Sequence, residues 1–142
     1  MFRGNQKRKE AKIMELNAIA MDEAMLFDRW PQVLPLYIAL REKLTAAYPD
    51  MTVKATKTQV SFRNRHVFAM ASPPWRRAKG WPETYLLVSF GLAHRSDSPR
   101  VAQCAEPYPG RWTHHVVVAC VEELDGELMS LIDEAYHFAM VK

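Results

Sequence analysis

Between residues 33 and 49 apolar side chains recur at helical spacing, and from Thr52 the period drops to two. Val33, Leu36, Tyr37, Leu40, Leu44 and Ala47 fall on one stripe, which predicts a helix with a single buried face. Asp28 before Trp30-Pro31 supplies a start signal, Pro35 sits near the first turn where a missing N–H is tolerated, and Pro49 ends the run. Upstream, "IMELNAIAMDEAMLF" is rich enough in Ala, Met and Leu to predict another helix of undefined length. Downstream, "TVKATKTQVSF" and "HVFAMAS" read as antiparallel strands joined by a hairpin tip at Arg63-Asn64-Arg65. "TYLLVSFGL" and "THHVVVAC" read as further strands, separated by the loop "SPPWRRAKGWPE" and the long connection "AHRSDSPRVAQCAEPYPGR". Leu124, Leu128, Leu131, Ala135 and Phe138 then mark the face of a C-terminal helix. Four to five strands grouped between helices predict an α+β domain, an antiparallel sheet packed with N- and C-terminal helices.

Composition sets bounds on this picture. The 142 residues suffice for one domain with a core of two packed layers and no need of disulfide or metal staples. We read residues 1–30 as a basic leader, "MFRGNQKRKEAK", followed by the uncertain N-terminal helix, and residues 31–142 as the single domain. Cys104 and Cys120 form no short chelating pair, and the leader is basic rather than apolar. No window approaches eighteen uninterrupted apolar residues, because Glu15, Asp22 and Glu23 break the only candidate. A cytoplasmic protein without membrane contact is expected.

Charge adds an asymmetry that the net value of +3 conceals. Residues 1–53 carry 8 Lys/Arg and 7 Asp/Glu, residues 54–115 carry 10 and 3, and residues 116–142 carry 1 and 6. A basic middle suits an anionic partner, whereas an acidic tail folded against it would neutralise the same charge internally.

The sharpest local signal is "GRWTHHVVVAC". Consecutive side chains on a strand point to opposite faces, so His114 and His115 are two sites and not one pair. One of them shares the helix-covered face with Val116 and Val118 or with Val117 and Ala119; the other opens to the second face. "LLVSF" and "HHVVVA" are apolar on both faces, so something covers the second face as well. The N-terminal helix, the Arg95–Arg111 connection or a second copy of the chain in a homodimer are the alternatives.

Two binding surfaces follow. Arg95, Arg100, Arg111 and Lys57, with Trp112 and His114 or His115, would make a site for a small anion, since guanidinium groups offer paired donors to phosphate or carboxylate. The Arg63/Arg65 tip and the Arg76, Arg77, Lys79 loop flanked by Trp75 and Trp81 would instead offer phosphate contacts and stacking to nucleic acid. An enzyme with a His/Arg site is the alternative to a non-catalytic binding module. Ser61, Ser89, Ser98 and Cys104 are available as nucleophiles, but none occupies a recognised nucleophile motif. His66 and His94 with either adjacent histidine match no metal-ligand spacing, and the five glycines are dispersed rather than gathered in a phosphate loop. No cofactor or metal is expected.

"TKTQVSFRNRHVFA", "TYLLVSFGL", "RSDSPR", "EPYPGRWTHHV", "ELDGEL" and "EAY" in combination resemble the family catalogued as domain of unknown function 5655, over roughly residues 33–140. More distantly, the Trp before an apolar strand and the acidic helix ending in a tyrosine are similar to the YjbR-like family. That likeness implies a frataxin-like α+β fold and a double-wing nucleic-acid-binding motif.

Overall fold

In the computed structural model, which describes residues 21–142, the strands form one six-stranded antiparallel sheet with helices packed on it. Residues 21–26 are helical and lead through a turn into α1 (Leu34–Ala47). The strands are β1 (Thr52–Ala55), β2 (Val60–Arg63), β3 (Val67–Ser72), β4 (Leu86–Leu92), β5 (Val101–Tyr108) and β6 (Arg111–Val118). A short 3-10 turn precedes α2 (Gly126–Val141), and the sheet order is β1-β2-β3-β4-β6-β5. Among the described residues no helix is long and apolar enough to cross a membrane. The basic leader and the first part of the upstream helix lie outside the described residues.

Two details differ from the pattern-based reading. The run 52–62 is two strands, because Thr56 turns the chain: its hydroxyl donates to the Gln59 carbonyl at 3.0 Å and the Thr56 N–H bonds the same oxygen at 2.8 Å. The connection after β4 contains β5, whose side chains are mostly exposed and whose pairing with β6 is bulged on both sides of residues 103–105. Pro107 and the absence of alternating burial hid it from a periodicity argument. Gly110, at φ +73°, takes the left-handed conformation that closes the β5–β6 hairpin.

Alternation along the strands sorts the sheet into two unlike faces. Val60, Phe62, Ala69, Ala71, Leu86, Val88, Phe90, Leu92, Val116 and Val118 are all buried beneath the helices. From α1 come Leu36, Tyr37, Leu40 and Leu44, with Tyr37 stacked between Phe27 and Phe62. From α2 come Leu128, Ile132, Ala135 and Ala139. This stripe is rotated from the expected one, for Leu131 is only partly buried. Small residues at 135 and 139 let the helix lie close on β3 and β4. Leu26 and Phe27 belong to the same core, so the packed unit begins before residue 31.

Among the described residues, the covered part of the second face lies under a segment not named among the alternatives above. The segment from Ser72 to Pro82 folds over it. Tyr85, fully buried yet outside the helix-side cluster, donates its hydroxyl to the Arg76 carbonyl and meets Trp81 edge-on. Trp75 Nε1 donates to the Thr58 carbonyl at 2.7 Å, which pins the loop to the β1–β2 turn. The cover stops there, leaving the middle of this face as the floor of a cleft.

Candidate functional site

The cleft has a volume of about 480 Å³ and is lined by the sheet face and the covering loop. Its floor follows from strand register. Ser61, Met70, Ser89 and His115 are successive Cα partners across β2, β3, β4 and β6, so their side chains share a face. Thr113, two residues before His115, lies on the same face, while Trp75, Arg76 and Thr58 form the rim. No carboxylate of the described residues lines the cleft. Ser89 Oγ and His115 Nδ1 are 2.7 Å apart, a normal hydrogen bond. Burial, then the Arg76 charge, then His114 hold the His115 imidazole below its usual range, which favours the neutral ring.

His114 occupies the other face. It is fully buried and its ring stacks on Phe90 at 5.4 Å. Its Nε2 accepts the Ser96 N–H at 2.9 Å, so the neutral ring carries its proton on Nδ1, which has no partner among the described residues. Burial lowers its pKa; the Trp112 and Phe90 carbonyls partly oppose this, and the His94 charge adds to it. Protonation at Nε2 would displace the Ser96 N–H that holds the loop after β4.

A pH dependence follows. His114 and His115 both titrate below 6.5 when folded, so between 6.5 and the folded values the unfolded chain binds more protons. Stability is therefore full above the unfolded value and falls as pH drops through that window. His94 has the opposite sign, because Glu134 at 2.7 Å raises it; its stabilisation is present in acid and lost as pH rises through its folded value. That exposed pair is screened and weak. Urea midpoints measured from pH 7.5 to 5 should fall, and His114→Gln should flatten the slope. An unchanged midpoint across that range contradicts the assignment.

The sequence-based site residues are distributed, not gathered. Arg100 is a structural clamp: it donates to Asp125 Oδ1 at 2.8 Å and to the Glu123 carbonyl at 2.7 Å. Asp125 in turn caps α2 by accepting the Leu128 N–H. Arg95 lies in the loop before β5, on the rim of a separate cavity with Ser96 and Ser98. Trp112 is half-buried at the start of β6, in the alternate set with His114, and Arg111 beside it is exposed. Lys57 lines a different cavity of about 590 Å³ with Arg29, Asp22, Asp28, Trp30 and Trp75, where the acidic and basic groups offset one another. His115 alone of the small-anion set lines the cleft.

Of the basic tips, Arg65 donates to the Met140 carbonyl at 3.4 Å and Asn64 to the Tyr136 hydroxyl at 2.8 Å. The hairpin thus leans on α2, with Arg63 exposed beside it. Arg77 faces Glu83 at 3.9 Å and Lys79 is exposed in the same loop. Arg76 differs from its neighbours in turning to the cleft. Sequence reasoning missed Thr58, Ser72, Thr113 and the Ser89–His115 pairing; the available signal was Ser89 itself, the single polar residue in "LLVSF".

Among the described residues no three His, Cys, Asp or Glu side chains gather where they could hold a metal ion. No curated protein and no solved structure matches the chain. The family model described as Domain of unknown function (DUF5655) matches residues 23–139, from the buried Glu23 to the last core residue of α2. With that span covering the helices, the sheet and the cleft alike, the chain belongs to the DUF5655 family.

Proposed function

We propose that this protein is a binding module for a small anionic molecule, a carboxylate or phosphate seated in the sheet-face cleft against Arg76. The observation that carries the reading is an unbalanced cation: among the described residues, Arg76 lines a cleft that holds no carboxylate and makes no ion pair. Thr58, Ser72, Ser89, Thr113 and neutral His115 supply hydrogen-bonding groups around it, and Trp75 supplies an apolar wall. Few polar groups placed in a concave site suit a small ligand.

The nucleic-acid alternative has less support. A strand must track several phosphates, whereas Arg65 at the hairpin tip leans on the Met140 carbonyl of α2 and Arg76 turns from the loop into the cleft. Calorimetric titration with inorganic phosphate and succinate at several salt concentrations tests the reading. Arg76→Ala should weaken binding about tenfold or more, as expected for losing a charged hydrogen bond, with a shallow salt dependence. Tight binding of oligonucleotides, with a steep salt slope that Arg63→Ala and Arg65→Ala flatten by roughly one unit per lost contact, would replace it. The alternative of an enzyme with a His/Arg site has one observation in its favour, the hydrogen bond between Ser89 and His115.

A further inference from the structure

We propose that Ser89 is a nucleophile and His115 its general base, so that the cleft hydrolyses esters of small anionic carboxylic acids; this rests on the reading of Arg76 as the anion anchor. A serine becomes nucleophilic when a base within hydrogen-bond reach takes its proton. Ser89 Oγ meets that condition at 2.7 Å from His115 Nδ1. Ser98, by contrast, donates to Glu127 on the helix side, and Ser61 has no histidine partner among the described residues.

The pair is also rigidly placed. Ser89 and His115 are Cα partners in the β4–β6 ladder, in the interior of the sheet, so their separation is fixed by strand pairing and not by a loop. In the tautomer protonated at Nε2, Nδ1 accepts the Ser89 hydroxyl proton, and the lowered basicity of the buried ring keeps it neutral near pH 7. His115 Nε2 makes no hydrogen bond to the described residues, nor is it sealed from solvent. Thr113 offers a hydroxyl to a developing oxyanion, and the Gln59 amide, spent on the weak acceptor Met70 Sδ at 3.2 Å, offers a second donor.

The reaction balances with water as the only co-reactant. Ser89 Oγ bonds to the acyl carbon while its proton passes to His115 Nδ1. The ester C–O bond breaks, and His115 returns that proton to the leaving alkoxide. Water then attacks the acyl-serine, gives a proton through His115 to Ser89 Oγ, and releases the acid.

The test uses the full chain with a fluorophosphonate probe read by intact mass and peptide mapping, mono-p-nitrophenyl succinate as substrate, and inorganic phosphate titration followed by amide shifts. The expected result is a single adduct on Ser89, hydrolysis abolished in Ser89→Ala, and a loss on the order of 10²–10⁴-fold in His115→Gln. Arg76→Ala should narrow the preference for the succinate ester over p-nitrophenyl acetate. Retained melting temperature in Ser89→Ala and His115→Gln separates lost chemistry from lost folding. Phosphate binding without adduct or hydrolysis overturns the nucleophile and leaves the anion site standing. Absence of both overturns the two readings together.

Discussion

Glu23→Ala should cost about 3–5 kcal/mol of folding stability, the range for removing one partner of a buried ion pair. Glu23 is 3 % exposed, and its Oε1 accepts from Arg41 Nε at 2.7 Å and from the Tyr37 hydroxyl. Tyr37 is fully buried, and burial first, then the Glu23 carboxylate, push its phenol far above the ordinary range, so it remains a donor. Alanine would strand a guanidinium whose side chain is 12 % exposed and leave that donor without an acceptor. Such a loss is a large part of the 5–15 kcal/mol typical of a domain. Urea unfolding monitored by circular dichroism measures it. Replacing Glu23 and Arg41 together by Leu should recover much of the loss, because no unpaired charge remains. A decrease below about 1 kcal/mol in Glu23→Ala would show that residues 21–26 do not depend on this anchor.

The second large effect contrasts adjacent residues. Phe90→Ala should cost about 3–5 kcal/mol, whereas Ser89→Ala should cost about 1 kcal/mol, the net worth of one hydrogen bond. Phe90 is 1 % exposed on the helix side, stacked on His114; Ser89 faces the cleft. Truncating the phenyl opens a cavity that α2 and its neighbours on the sheet fill only in part, while truncating the hydroxyl leaves His115 facing a cleft that admits water. Chemical denaturation of both variants decides this. Similar losses at the two positions would contradict the assignment of one face to the core and the other to the site. The same pair bears on function, since the costly position lies outside the cleft and the inexpensive one inside it.

The positions of the basic residues show why an anion site was harder to read than a fold. Arg95, Arg100 and Arg111 lie close enough in sequence to suggest one surface, to which Lys57 is joined from a separate segment, yet the four lie at separate places. Arg100 illustrates the reason. Its guanidinium finds Asp125 and the Glu123 carbonyl, groups more than twenty residues away that only packing of α2 beside the loop brings near. Arg76 looked like one of three equivalent loop cations. Its turn toward the cleft follows from long-range ties, namely the Tyr85 hydroxyl on its carbonyl and the Trp75 indole on Thr58.

By itself the sequence determined the α+β class, the α1 stripe through Tyr37 and Leu44, the Arg63–Arg65 hairpin tip and the separation of His114 from His115 onto opposite faces. Each rests on local spacing, where a period of 3.6 or 2 assigns side chains to a face without knowledge of the partner. Tertiary structure decided which histidine is buried, that β5 joins the sheet, that the loop from Ser72 to Pro82 covers part of the second face, and that Ser89 meets His115. Those depend on strand register and on what packs against each face. Both are set by contacts between residues far apart in the chain, and a one-residue shift in pairing would have exchanged the two faces.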